Sequence, residues 1–272
     1  MAAPAAALAL ILGMGACSTP EKDTAVEETE TVVEVQSGDA AEGDGEVTIY
    51  LTRHGKTMLN TTDRVQGWAD SPLTEPGVEV AEDLGRGLGA EGMKFDAIYS
   101  SDSGRAIETA QLVMDGVGQT ETTDLVQLKD LREWNFGTFE GDYNDVMLEA
   151  IAKQANYEGD EDVRTALTIE ELADSIAAAD ETGVAENWDE IASRSQRALD
   201  TIVEESLANG DEVVLVTSHG LTINALLHLI DNNIGTVPIP NAAMAKVVYK
   251  DGVYTIETMN DESFIEKGAA LR

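Results

Sequence analysis

The chain has 272 residues, with 52 acidic side chains against 17 basic ones, three histidines and a single cysteine. An acidic excess of this size repels a polyanion and argues against nucleic acid as a partner. One cysteine excludes an intramolecular disulfide, and beyond residue 17 no apolar run approaches the length of about 18 residues that a membrane-spanning helix needs.

Residues 5–16 are apolar apart from glycine and lead into Gly15-Ala16-Cys17-Ser18. A short apolar core followed by small residues reads as an export signal. The cysteine at its end resembles the lipobox of bacterial lipoproteins, which implies diacylation of Cys17 and a protein held on the outer face of the cell membrane through its N-terminal lipid. The alternative is a soluble exported protein. Residues 18–46 contain ten acids, one base and no aromatic residue. Such a segment cannot bury enough apolar surface to offset its ordering entropy, so it is predicted to be a disordered acidic tether. Residues 47–272 retain 42 acids against 16 bases, in a length that suits one α/β domain. An anionic substrate would feel this field as repulsion, which local Arg and His would have to overcome.

In the body, short β-rich runs alternate with longer helical patterns. This alternation predicts a three-layer α/β/α fold with a mostly parallel central sheet. Strands are predicted at 47–52, 95–100, 122–126, 212–218, 243–249 and 253–258, the last two joined through Asp251-Gly252 as a hairpin. Helices are predicted at about 76–88, 104–115, 188–208 and 221–231, with Thr74 and Ser103 marking two of the starts. Residues 142–187 break the alternation and read as a helical, cap-like insertion over the sheet edge, suited to selecting substrate.

Two strand-then-histidine runs carry the first chemical signal. Val47-Thr48-Ile49-Tyr50-Leu51 leads into Thr52-Arg53-His54-Gly55-Lys56-Thr57, and Val213-Val214-Leu215-Val216 leads into Thr217-Ser218-His219-Gly220. Ligands of open α/β sheets bind at the strand ends that such runs mark. Between them lie a loop, Gln66-Gly67-Trp68-Ala69-Asp70-Ser71-Pro72-Leu73-Thr74; a strand-to-helix turn, Tyr99-Ser100-Ser101-Asp102-Ser103-Gly104-Arg105; and the acidic, aromatic run Leu131-Arg132-Glu133-Trp134-Asn135-Phe136-Gly137-Thr138-Phe139-Glu140-Gly141. His228, on an apolar helix, reads as structural. Gly85-Arg86-Gly87-Leu88-Gly89 ends a helix instead of following a strand, so it is not a nucleotide loop. No cysteine and histidine cluster suggests a metal, and no cofactor is indicated.

Taken in order, TRHGKTMLN, QGWADSPLTEPG, SSDSGRAIETA, LREWNFGTFEG and TSHGLTI resemble the histidine phosphatase superfamily, also called the phosphoglycerate-mutase-like family. The resemblance covers most of residues 47–230. It implies that His54 attacks phosphorus to form a phosphohistidine, which water then hydrolyses. Arg53 and Arg105 would hold the phosphoryl oxygens by charge-assisted hydrogen bonds, with His219 as a second imidazole against the phosphate. Thr57, Asn60, Gln66, Gly67 and Gly220 fall at substrate-binding positions. Glu133 matches the general acid, and Trp134, Phe136 and Phe139 would dry its carboxyl. Lys56 stands where many relatives carry Glu, Gln or Ser.

The family holds mutases and phosphatases. Mutases carry further basic residues after the acid motif, whereas here Gly141 is followed by Asp142-Tyr143-Asn144-Asp145. The sequence therefore favours a phosphomonoester hydrolase of the histidine acid phosphatase type acting on a small phosphorylated substrate. The alternatives are a phosphoglycerate-type mutase and a surface lipoprotein that binds phosphorylated ligands without turnover.

Overall fold

The computed structural model describes residues 45–272. The expected export signal, Cys17 and all but the last two residues of the expected tether lie outside the described residues. The body begins with β1 (Glu46–Arg53), followed by the short α1 (Met58–Thr61), α2 (Glu75–Ala90), β2 (Ala97–Ser101), α3 (Gly104–Val117) and β3 (Leu125–Leu128). Single 3-10 turns at Lys129–Leu131 and Gly137–Phe139 precede α4 (Asn144–Gln154), α5 (Val163–Ala166) and α6 (Ile169–Ala179). The chain closes with α7 (Trp188–Asn209), β4 (Val213–Ser218), α8 (Gly220–Ile230), β5 (Met244–Lys250), β6 (Val253–Asp261) and α9 (Ser263–Ala269).

The six strands form one sheet in the order β3-β2-β4-β1-β5-β6. The first four are parallel, and β5 and β6 run antiparallel at one side. Central parallel strands are covered on both faces, which is why Val213 to Val216 is apolar without alternation. Val214 and Val216 face Leu199, Ile202, Leu226 and Leu227 of α7 and α8. Leu215 faces the other way, toward Leu84 and Leu88 of α2 and Val113 and Met114 of α3. Each such side chain contributes about 1.5–3 kcal/mol on burial.

The hairpin turns at Asp251 and Gly252 with φ of 50° and 85°, the two positive angles that a type I′ turn demands. Thr74 caps α2 by accepting from the Gly77 N–H at 3.2 Å. The third strand starts later than the sequence suggested. The Gln119 carbonyl accepts from the Thr122 and Thr123 N–H groups, so 120–123 turn before the strand opens at Leu125. The glycines of Gly85-Arg86-Gly87-Leu88-Gly89 lie inside α2. A Cβ at Gly87 would collide with the Phe264 carbonyl of α9, and one at Gly89 with the Gly116 carbonyl of α3, so this stripe is a packing seam.

The insertion is helical, as expected. Its Met147, Ile151, Ile169, Leu172 and Ile176 form a second core with Val65, Trp134, Phe136, Phe139 and Ala225. It therefore rests on the loops that leave the strand ends. No helix among the described residues is long and apolar enough to cross a membrane.

Candidate active site

The sheet order puts the two histidine runs side by side. β1 and β4 pair in parallel with Arg53 opposite Ser218, so the next residues, His54 and His219, sit on adjacent strand ends. The His54 N–H donates to the Ser218 carbonyl at 3.0 Å, and the two imidazole centroids are 5.1 Å apart. Gly55 is required because a Cβ there would meet the Gly77 carbonyl at the start of α2. Its N–H donates to Thr109 of α3 at 2.9 Å.

The hydrogen bonds define both tautomers. His54 Nδ1 lies 2.8 Å from the Gly55 carbonyl, which can only accept, so Nδ1 carries the proton and Nε2 keeps its lone pair. His219 Nδ1 faces Arg105 Nε at 3.2 Å and Nη2 at 3.0 Å. A guanidinium only donates, so the His219 proton sits on Nε2, which donates to Ser103 Oγ at 3.2 Å. Burial, and after it the charge of Arg105, holds both imidazoles well below 6.5. Both are thus neutral at pH 7, and His54 Nε2 has the electronic character of a nucleophile.

Arg53 donates through Nη1 to the Ile239 carbonyl at 2.6 Å. Its Nε is buried without a hydrogen-bond partner among the described residues, beside Gly220. An orphaned guanidinium N–H next to a nucleophilic imidazole is the signature of a place for an anion. Burial draws the basicity of Arg53 down, while the nearby Glu133 charge raises it.

Arg105 departs from expectation. Its Nη1 donates to the Ala69 carbonyl at 3.0 Å and the Asp70 carboxylate at 2.9 Å, and Nη2 donates to the Gly67 carbonyl at 2.8 Å as well as to His219. The guanidinium is committed to protein acceptors throughout, so it orients His219 and ties down the 67–70 loop. Asp70, which sequence reasoning passed over, also accepts from the Gly104 N–H at the start of α3. Thr57 and Asn60 likewise turn inward. They form a reciprocal cap on α1, and Thr57 Oγ1 donates to Gln66, whose amide nitrogen donates to Ser71 at 3.0 Å. These three build the loop that frames the site. Gly67 is fixed by crowding, since a Cβ would meet the Trp134 carbonyl. Lys56 is exposed.

Glu133 is buried, but its surroundings are not those predicted. Oε1 accepts from the Trp134 N–H at 3.1 Å, the Thr222 N–H at 2.9 Å and the Thr222 hydroxyl at 3.1 Å, and Oε2 accepts from the Leu221 N–H at 3.1 Å. The carboxylate therefore rests on the N-terminus of α8, where a helix dipole welcomes negative charge. Trp134, Phe136 and Phe139 turn away into the second core instead of drying it. The Trp68 indole N–H donates to the Glu133 carbonyl at 3.0 Å, and the Arg132 guanidinium lies 4.9 Å over its ring. His228 bridges the Ile234 carbonyl at 2.6 Å and Glu170 of α6 at 2.9 Å, a structural role. Among the described residues no group of three or more His, Cys, Asp or Glu side chains is arranged to hold a metal ion.

A mixed sheet whose adjacent parallel strands end in two neutral buried imidazoles, beside a partly unpaired guanidinium, defines the α/β class of the protein. Residues 49–262 match the family model described as histidine phosphatase superfamily (branch 1), and the chain belongs to that superfamily. It is 34% identical over 181 residues to the probable phosphoglycerate mutase GpmB of Yersinia pestis (strain Pestoides F), covering 66% of this chain and 72% of that one. The crystal structure of phosphoglycerate mutase from Bacillus anthracis str. Sterne matches with TM-score 0.79 and 46% identity over 84% of this chain and 99% of that one. Bacillus stearothermophilus YhfR matches with TM-score 0.62 and 27% identity over 80% and 99%. The fold is that of the phosphoglycerate-mutase-type histidine phosphatases, whose members are enzymes, mutases and phosphatases alike.

Proposed function

We propose that the protein is a phosphomonoester hydrolase. His54 Nε2 attacks phosphorus, the bond to the leaving oxygen breaks as the new N–P bond forms, and Glu133, entering this step in its carboxylic acid form, supplies the proton that the leaving alkoxide needs. Water then attacks the phosphohistidine, with Glu133 accepting its proton, and inorganic phosphate leaves. Arg53 stabilises the charge on the equatorial oxygens, and His219, oriented by Arg105, turns its Nε2–H from Ser103 Oγ to the same group.

The observation that carries hydrolysis over isomerisation is the state of the arginines around the mouth. Arg132 is bound to Asp102 by two 2.6 Å hydrogen bonds, Arg194 to Glu186 at 2.7 Å, and Arg197 to Asp130 at 3.0 Å. A second anionic group on the substrate, such as a carboxylate, would compete with these existing carboxylate partners. The mutase reading has its own support in the mutases named above, so the assay must separate the two.

The test incubates the full chain with an aryl phosphate, several alkyl phosphomonoesters and a phosphoglycerate. Free phosphate from the monoesters, with slower turnover of phosphoglycerate, is the expected result. Isomerised phosphoglycerate with little free phosphate would establish the mutase instead.

A further inference from the structure

We propose that Glu140 is a positioning residue for the phosphoryl site, acting on Arg105 through the backbone of residues 67–69. This inference rests on the phosphoryl-transfer reading above and adds a residue that lies outside its reacting groups.

Glu140 follows the 3-10 turn Gly137–Phe139, and its carboxylate turns under the loop. Oε1 accepts from the Trp68 N–H at 2.8 Å and the Phe136 N–H at 3.1 Å, while Oε2 accepts from the Gly67 N–H at 3.1 Å and the Ala69 N–H at 2.8 Å. Four main-chain donors converging on one carboxylate make a nest for negative charge. The carbonyls of Gly67 and Ala69 point the other way and take Arg105 Nη2 and Nη1 at 2.8 and 3.0 Å. A strip of three residues is thus gripped by an anion through its N–H groups and grips a cation through its C=O groups. Arg105 in turn holds His219 Nδ1, which sets the tautomer that leaves a proton on Nε2. Glu140 touches neither Arg105 nor His219. Burial lowers the basicity of Arg105 overall, and the charge of Glu140 is close enough to oppose this, after the stronger effects of Asp70 and Glu133. Gly67 belongs to the same device, because a Cβ there would strike the Glu140 carboxylate as well as the Trp134 carbonyl.

Replacing the carboxylate by an amide turns two acceptor sites toward donors as N–H against N–H. The strip must then rotate peptide planes, and Arg105 loses carbonyls that fix its fork. Arg105 then no longer fixes His219, and a displacement of about 1 Å at a group meeting the transferring phosphoryl costs about 10²-fold in rate.

The experiment compares Glu140→Gln and Glu140→Asp with the parent, using the full chain, an aryl phosphate as substrate and orthovanadate as a probe of the phosphoryl site. In Glu140→Gln we expect kcat to fall by about 10²-fold with a smaller change in KM, and orthovanadate inhibition to weaken in step. Glu140→Asp, which keeps the charge on a shorter arm, should recover part of kcat and of orthovanadate affinity. Activities are measured well below each thermal midpoint, so that a purely structural role would lower the midpoint and leave kcat and inhibition unmoved. Values for Glu140→Gln within about two-fold of the parent, or no recovery in Glu140→Asp, would overturn the proposal. An inactive parent that also ignores orthovanadate would overturn the phosphatase reading instead.

Discussion

The floor of the site is held by the sheet, whereas its roof is held by carboxylates. His54 and His219 sit where they do because β1 and β4 pair in parallel register and the His54 N–H continues the ladder onto Ser218. The loops above them, 66–70 and 133–140, have no ladder. Glu140 gathers the N–H groups of residues 67–69 and 136. Asp180 takes those of Thr138, Thr182, Val184 and Ala185, and Glu186 takes that of Asn135 while pairing with Arg194. Main-chain pairing needs no charge, but a carboxylate nest works best when ionised. The same molecule therefore depends on neutral groups below the substrate and charged groups above it.

Glu133 spans the two levels, and its replacement should have the largest effect short of removing the nucleophile. Glu133→Gln keeps the shape and some acceptor capacity at α8 but cannot transfer the proton. We expect kcat on an alkyl phosphomonoester to drop by about 10²- to 10⁴-fold. The loss should be smaller with an activated aryl phosphate, whose leaving group needs less protonation. Equal losses on both substrates would remove Glu133 from the acid role and return it to a helix-capping one.

Stability against pH should separate floor from roof. His54 and His219 are held below 6.5, first by burial and then by Arg105. The unfolded chain gains those protons near 6.5 and the folded one does not, so their contribution is complete above that value and is lost as pH falls below it. Asp180 behaves as a depressed carboxylate. Burial pushes it up, but hydrogen bonds from Ala185, Thr138 and Thr182 outweigh this and hold it well below 3.8. Its contribution is present above 3.8 and is lost as pH falls further. Urea unfolding across pH should show two declines, and Asp180→Asn should soften only the more acidic one. A profile flat through 6.5, or an Asp180→Asn profile parallel to the parent's below 3.8, would break the comparison.

The floor was legible in the sequence for a physical reason. A β-rich run ending in His-Gly states both the strand and the turn that exposes the imidazole, and the pairing of β1 with β4 only had to bring two such statements together. Family resemblance put Arg105, Thr57, Asn60 and Gln66 at phosphate- or substrate-contacting positions, whereas the structure pairs them with protein groups. Their hydrogen-bond partners are set by loop conformation, which a motif does not encode. Glu140 and Asp70 lay inside the quoted motifs, yet nothing local distinguishes a loop-gripping carboxylate from a solvated one. Adjacency in sequence makes the aromatics after Glu133 look like its neighbours. The insertion's apolar face draws them into the second core, and only tertiary packing decides that. The glycine stripe at 85–89 was visible as a pattern, but its meaning depended on α9, which covers α2.

On the proposed reaction, His54 Nε2 is the atom that takes the phosphoryl group. The most direct test is to mix the full chain with an aryl phosphate, quench during turnover with alkali, which preserves phosphohistidine, and map the phosphate by mass spectrometry. Phosphate on His54, absent from His54→Ala and released by acid, is the predicted result. Phosphate release during turnover with no modification of His54 in rapidly quenched samples, or with phosphate on another residue, would contradict it.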